Sequence, residues 1–302
     1  SPRYVYVPNG IAATVTSNGE YPKVTKQYRP DYVYNRKTDA FYKLHKESRH
    51  RGAIETVCRA EGAQLMSPRS DHDIVQIHAM LKRYPDLSDH VWVADDGQVH
   101  ESAEEVPIIH CTYGDISVTS SACDVVSRSG DVQTLPCYRA LPFICKVEAK
   151  DAPYDPDCRV FSQNYEYFSS VGSCYKIPDI AYTWGEAYSE CEAEGAHLVV
   201  INSETERSVV QNLTLRATSR ATVSCFFSAG FRSLMPPAPR EFKTVFNQTL
   251  REAGFEEWSP NEPNNANGHE YCGSIFNSNG KYNDIACNHE YGFVCEKEIT
   301  ST

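Results

Sequence analysis

The sequence predicts an α+β fold built twice in one chain of 302 residues and held together by disulfide bonds. Three observations lead there. The first is an internal repeat: Cys58-Arg59-Ala60-Glu61-Gly62-Ala63-Gln64-Leu65 recurs as Cys191-Glu192-Ala193-Glu194-Gly195-Ala196-His197-Leu198, and Leu141-Pro142-Phe143-Ile144-Cys145-Lys146 recurs as Tyr291-Gly292-Phe293-Val294-Cys295-Glu296. The second is a set of twelve cysteines with no C-x-x-C pair, which argues against zinc ribbons and iron–sulfur ligation and for a disulfide framework in an oxidising compartment. The third is the order of elements, helix, strand and helix followed by a strand-rich remainder, which is the α+β pattern.

Taken in order, residues 1–30 form an N-terminal extension to which the sequence assigns no role. The first copy spans 31–148 and opens near an aromatic strand, Phe41-Tyr42-Lys43-Leu44; the second spans 158–299 and opens near Cys174-Tyr175-Lys176-Ile177. Each closes on a Phe-apolar-Cys strand. The Asp- and Pro-rich run Asp151 to Asp157 places a linker at 149–157. In the second copy, Thr183 with Glu186 and Ser203 with Glu206 fit capping boxes that open two helices, with the apolar run Leu198 to Ile201 between them.

The cysteine spacing shows where the copies differ. Cys58 to Cys123 is 65 positions and Cys191 to Cys272 is 81, whereas the later intervals match at 14 against 15 and 8 against 8. A segment of about sixteen residues has been gained or lost upstream of Cys272, and a loop present in one repeat only is more often a functional attachment than core. That region holds Glu262, Pro263 and Asn264, followed by Glu270 and by the pair Asn283 and Asp284. Three carboxylates and two side-chain amides are all hard oxygen donors, the chemistry of a calcium shell of about six to eight oxygens. The spacing suits neither a helix nor an EF-hand loop, so a cage assembled from separate loop segments is expected. The bland alternative for such residues is a set of solvated turns.

Composition excludes several classes. A net charge of −11 disfavours nucleic acid as the main partner, because phosphate binding needs clustered Lys and Arg. No stretch reaches the roughly 20 apolar residues of a membrane span, and Ser1 opens no basic or apolar signal region, so a mature secreted protein is expected. The sequons at Asn212 and Asn247 fit a secretory route as glycosylation sites. No G-x-S-x-G, H-E-x-x-H, P-loop or G-x-G-x-x-G context occurs, so no enzyme is expected.

These residues resemble the C-type lectin family, and the tandem arrangement resembles the insect immulectins, secreted two-domain lectins of innate immunity. The resemblance rests on Glu262-Pro263-Asn264, on Glu270 two positions before Cys272, and on Asn283-Asp284 three residues before Cys287. It implies two helices and two small antiparallel sheets per domain, a cis proline at Pro263, and Tyr282 packing where the family usually has Trp. It further implies disulfides Cys58–Cys145, Cys123–Cys137, Cys158–Cys174, Cys191–Cys295 and Cys272–Cys287, leaving Cys111 and Cys225 either for a bond between domains or as a free buried thiol in each. Glu262, Asn264, Glu270, Asn283 and Asp284 are then expected to bind Ca2+ and, with it, two neighbouring hydroxyls of a mannose-type sugar. A second calcium position would want acidic residues where the chain has Asn265 and Tyr271. His269 and His289 are read as incidental and His197 as a hydrogen-bonded core residue.

The first copy departs from the pattern. Ser121 stands two before its cysteine, and Gln133 and Thr134 replace the Asn-Asp pair before Cys137, so no calcium site is expected there. Its acidic group Asp95, Asp96, Glu101, Glu104 and Glu105 reads as a solvated turn. The expected partners are mannose-type glycans or microbial polysaccharide and immune effector proteins, with homo-oligomers supplying avidity. The rival is a protein-binding or structural module that uses the fold without sugar.

Overall fold

The computed structural model describes residues 4–7, 11–14, 25–95, 121–217 and 224–299. They fall into two units, Asp31–Ala152 and a second made of Ser1–Pro30 with Pro153–Thr302.

In the unit Asp31–Ala152, strand Ala40–Arg49 pairs antiparallel with Leu141–Glu148, and the helices Arg51–Ala60 and Asp71–Lys82 lie between them in sequence. The Ser70 side chain accepts from the Asp73 N–H and so satisfies an otherwise orphaned donor at the start of the second helix. Strands Val33–Asn35, Gln64–Leu65, His90–Trp92, Ala122–Ser127 and Val132–Pro136 complete a single seven-stranded sheet. Two small antiparallel sheets were expected here. The sheets merge because Leu141–Glu148 runs unbroken, pairing with Ala40–Arg49 and Gln64–Leu65 and, in parallel through Phe143, with Trp92.

In the other unit the matching strand divides at Val294 into Gly292–Phe293 and Cys295–Glu298, and two sheets result. One holds Glu166–Phe168, Ser173–Lys176, Cys295–Glu298 and His197–Leu198; the other holds Phe242–Thr244, Phe226–Ser233, Glu270–Phe276 and Tyr282–Ala286, with Gly292–Phe293 added in parallel. The helices are Trp184–Ala193, Glu204–Arg216 and the short Leu250–Ala253. Thr183 and Glu186 form the expected capping box. Ser203 caps its helix, but the Glu206 carboxylate turns away from it to accept from the Asn202 N–H at 2.6 Å and from the Tyr175 hydroxyl. Of the expected run Leu198 to Ile201 only Leu198 pairs as strand, together with His197; Val199 to Ile201 are buried.

The same side-chain wiring recurs in both units. Tyr32 and Lys43 meet buried Glu61 at 2.6 and 2.5 Å, and Tyr165 and Lys176 meet buried Glu194 at 2.7 and 2.5 Å. Tyr42 donates to Asp73 as Tyr175 donates to Glu206. The Arg51 N–H reaches the Cys137 carbonyl as the Trp184 N–H reaches that of Cys287. The structure joins Cys58 to Cys145, Cys123 to Cys137, Cys158 to Cys174, Cys191 to Cys295 and Cys272 to Cys287. Cys225 is half-buried and forms no disulfide among the described residues, and Cys111, its candidate partner, lies outside them.

The N-terminal extension falls in the same unit as the second half. Its strands Tyr4–Val7, Ile11–Thr14 and Thr25–Lys26 form a small antiparallel sheet. Arg29 and Tyr28 tie it there: the Arg29 guanidinium forks onto both carboxylate oxygens of Glu190 at 2.7 and 2.8 Å and lies 3.9 Å from Glu194, all three being buried, and the Tyr28 ring meets Phe161. A paired, hydrogen-bonded arginine is the form in which such buried carboxylates are tolerated.

The core that supports the long loop centres on Val199, Ile201, Val210, Phe227, Phe231, Phe255, Ile275 and Tyr282. Tyr282 is fully buried with its ring 4.4 Å from Phe231 and 5.1 Å from Phe255, and its hydroxyl donates to the Ile201 carbonyl. Burial of each such ring stabilises by about 1.5–3 kcal/mol, and aromatic pairs add about 0.5–1.5 kcal/mol. Gly273 makes the close approach of Phe231 feasible, because a Cβ there would lie 2.3 Å from the Phe231 ring.

Candidate functional site

The site is assembled where a loop is zipped to a strand. Trp258 packs between Phe242 and Tyr282, at 5.0 and 6.1 Å between ring centroids, while the Tyr282 N–H reaches the Glu257 carbonyl and the Ser259 N–H reaches that of Tyr282. This fixes the chain just before the turn in which Glu262 N–H bonds the Ser259 carbonyl. The Glu262–Pro263 bond is cis, and Asn261 and Asn265 take positive φ. Asparagine tolerates that left-handed conformation better than most residues. On the far side, Glu270–Phe276 pairs antiparallel with Tyr282–Ala286, which sets Gly273 opposite Asp284.

Three of the five expected ligands, Glu262, Asn264 and Asp284, are bonded directly to one another, and Glu270 joins them through the Ala266 N–H and Asn265. Asn264 donates its side-chain amide to Glu262 at 2.8 Å, and its backbone N–H lies 3.1 Å from both Glu262 and Asp284. The Ala266 N–H, 2.8 Å from each, is shared between Asn264 Oδ1 and Glu270 Oε2. Asn265 N–H donates to Asp284 at 2.8 Å, and its own Oδ1 accepts from the Glu270 N–H at 3.0 Å. Asn283 is placed differently. It is buried, its amide donates to the Asp284 carbonyl, and its own carbonyl accepts from Ser274 Oγ, so it joins the set through backbone.

One participant escaped sequence reasoning. The Arg240 guanidinium forms an ion pair with Asp284 and donates from the same Nη2 to the Glu270 carbonyl. Its only sequence signal is its place on the segment before Phe242, inside the interval that differs in length between the repeats.

The charges explain the titration behaviour. Glu262 is pushed up to about 7, first by burial and then by Asp284, to which it donates a hydrogen bond. Burial also pushes Glu270 up. Burial opposes ionisation of Asp284 too, but hydrogen bonds from Glu262, the Asn265 N–H and Arg240 outweigh it and hold that carboxyl below its ordinary value. Oxygen donors on converging loops and carboxylates crowded enough to retain a proton have the chemistry of a divalent hard-cation site, and the Arg240 guanidinium stands against one of those carboxylates as a competing cation. Because Glu262 rises from 4.5 to about 7 on folding, its contribution to stability is complete below about 4.5 and is lost as pH rises through about 7. In EDTA, melting temperature is expected to fall between about pH 5 and 7.5, and Glu262→Gln is expected to flatten that decline; equal slopes for the two proteins would refute it.

Other expected residues lie as follows. His269 and His289 are exposed, and His197 donates Nδ1–H to the Leu198 carbonyl at 2.9 Å with its pKa lowered by burial. Asn212 and Asn247 are exposed. In the first unit Ser121 is exposed and Gln133 faces His90 at 3.2 Å, while Thr134 pairs with Asp124 across the strands. Asp95 bonds the Asp124 N–H; Asp96, Glu101, Glu104 and Glu105 lie outside the described residues. Among the described residues no helix is long and apolar enough to cross a membrane.

Comparison with known proteins places a family on this half of the chain. Residues 180–297 match the model of the lectin C-type domain. The hemolymph lipopolysaccharide-binding protein of Periplaneta americana is 40% identical over 134 residues, 43% of this chain and 51% of that protein. C-type mannose receptor 2 of Homo sapiens is 23% identical over 263 residues, 80% of this chain and 16% of the receptor. The cow CD23 carbohydrate-recognition domain, crystallised in the presence of a GlcNAc2Man3 oligosaccharide, is 33% identical, covering 45% of this chain and 95% of that one with a TM-score of 0.37. The chain thus spans about half or less of the length of these two curated relatives. Over residues 180–297 the chain carries a C-type lectin domain.

Proposed function

We propose that the chain is a secreted, calcium-dependent lectin that recognises mannose-type sugars on microbial surfaces through one site, formed by Glu262, Asn264, Glu270, Asn283 and Asp284. One observation carries the reading: Asn264 is bonded to both Glu262 and Asp284 and shares the Ala266 N–H with Glu270, an all-oxygen set with excess negative charge. Calcium bound there would supply positive charge and coordination positions for two neighbouring sugar hydroxyls. The chain's own part is orientation. Each hydroxyl accepts from an amide of Asn264 or Asn283 and donates to the carboxylate of Glu262 or Glu270, so that the direction of both hydroxyls is read at once. Asn283 would have to turn its amide from the Asp284 carbonyl toward the ligand to take that part.

The unit Asp31–Ala152 is a second copy of the fold in which Ser121, Gln133 and Thr134 stand at the ligand positions, and it serves contacts other than sugar. The recurrent tyrosine, lysine and carboxylate wiring supports the tandem reading, as does the alignment with the mannose receptor over 80% of the chain. The cockroach relative's name supports a microbial glycan, and hence a place in innate immunity with effector proteins as partners. Homo-oligomers would give the avidity that single sugar sites lack. The test is elution of the resin-bound protein from mannan: free mannose should release it and galactose should not, whereas release by galactose alone would overturn the sugar class.

A further inference from the structure

We propose that Arg240 is a resident counter-cation of the cage, one that calcium must displace from Asp284, and that this exchange sets the metal affinity of the site. The inference rests on the calcium reading above and concerns how that site is regulated.

Asp284 is fully buried, and its oxygens accept from the backbone N–H groups of Asn264 and Asn265 and from the Arg240 guanidinium. A buried carboxylate needs such compensation, and removing its partner ordinarily leaves a costly unpaired charge. Arg240 therefore protects the metal-free fold. Its hold is nevertheless of a kind that can be released. Arginine usually grips a carboxylate with two parallel N–H bonds, but here Nη2 alone serves both Asp284 and the Glu270 carbonyl, and Nε has no hydrogen-bond partner. The side chain is 24% exposed, and its guanidinium lies over the Phe242 and Tyr271 rings, 5.0 and 5.8 Å from their centroids. Those rings are a cation–π platform on which it keeps partial stabilisation after leaving the carboxylate.

Asp284 Oδ2 is the oxygen that Arg240 engages. A divalent ion and a guanidinium drawn to that same buried oxygen repel each other strongly, so each disfavours the other there. Arginine stays charged throughout the accessible pH range, so the competition is not relieved by pH. The result is a site in which part of the calcium binding energy is offset by the loss of an ion pair already present.

The experiment is calorimetric titration of CaCl2 into the whole chain, without sugar, for wild type, Arg240→Gln and Arg240→Lys, with thermal melting of each in EDTA and in saturating calcium. Arg240→Gln is expected to bind calcium about tenfold more tightly, the loss of one charge-assisted hydrogen bond read as a change of affinity. Arg240→Lys should fall between it and wild type. In EDTA, Arg240→Gln should melt below wild type, and in calcium the two should converge. Equal or weaker calcium affinity in Arg240→Gln, with wild type binding normally, would overturn the counter-cation role alone. Absence of calcium heat in wild type and variants alike would overturn the calcium reading and this inference together. If Arg240→Gln does not fold, Arg240→Lys still decides the matter, since wild-type affinity in that variant counts against the proposal.

Discussion

Replacing Asp284 with asparagine is expected to abolish calcium binding and to weaken the metal-free protein. The aspartate is fully buried and receives the Asn264 and Asn265 N–H groups, the Glu262 carboxyl and Arg240. Asparagine keeps the shape but substitutes an NH2 group for one accepting oxygen, so that donors face donors and Arg240 loses its counter-charge. Losing a charged acceptor of this kind costs about 1.5–3 kcal/mol per hydrogen bond. Because even outer-shell changes cost 10–100-fold in metal affinity, the loss of a direct ligand is expected to exceed roughly 100-fold. Titration calorimetry with CaCl2 and melting in EDTA read the two effects separately. Calcium affinity within about threefold of wild type would show that Asp284 is not a ligand.

A comparably large effect is expected far from the site. Arg29→Met removes the guanidinium that pairs with Glu190 and leaves Glu194, where burial pushes the carboxyl up, with Lys176 as its cationic contact among the described residues. Breaking a buried pair from one side costs about 3–5 kcal/mol, roughly 10 °C in melting temperature for a domain of this size. The methionine stem fills much of the space, so the effect reads charge rather than volume. Arg29→Met combined with Glu190→Leu should recover most of the loss, because replacing both partners by apolar groups is nearly neutral. A single Arg29→Met variant that melts within about 1 °C of wild type would contradict the account of why residues 1–30 group with the second half.

These two residues also show what was legible in the sequence. The ligand order around Pro263 is local text: Glu262 and Asn264 are held by their own turn, and Glu270 and Asp284 lie beside cysteines whose spacing marks the strands. The repeat was legible for the same reason, since Glu61 and Glu194 sit three residues after matched cysteines. Arg29 was not legible, because its partner is 161 positions away and no periodicity links them. Arg240 was missed because its role depends on how a proline-rich segment folds back over the strand Tyr282–Ala286. Glu206 was read as a capping partner of Ser203, but a buried tyrosine hydroxyl competed for its carboxylate. The expected pair of sheets in the first unit failed for a subtler reason, namely that Leu141–Glu148 is not interrupted as its counterpart is at Val294.

The reading of Glu262, Asn264, Glu270, Asn283 and Asp284 as a sugar-bridging cage is tested most directly by retention on a mannan resin in calcium and then in EDTA, for wild type and for Glu262→Gln combined with Asn264→Asp. The account predicts that wild type is retained in calcium and released by EDTA, and that the double variant passes through under both conditions. Wild type flowing through in calcium, or retention that EDTA leaves unchanged, would contradict it.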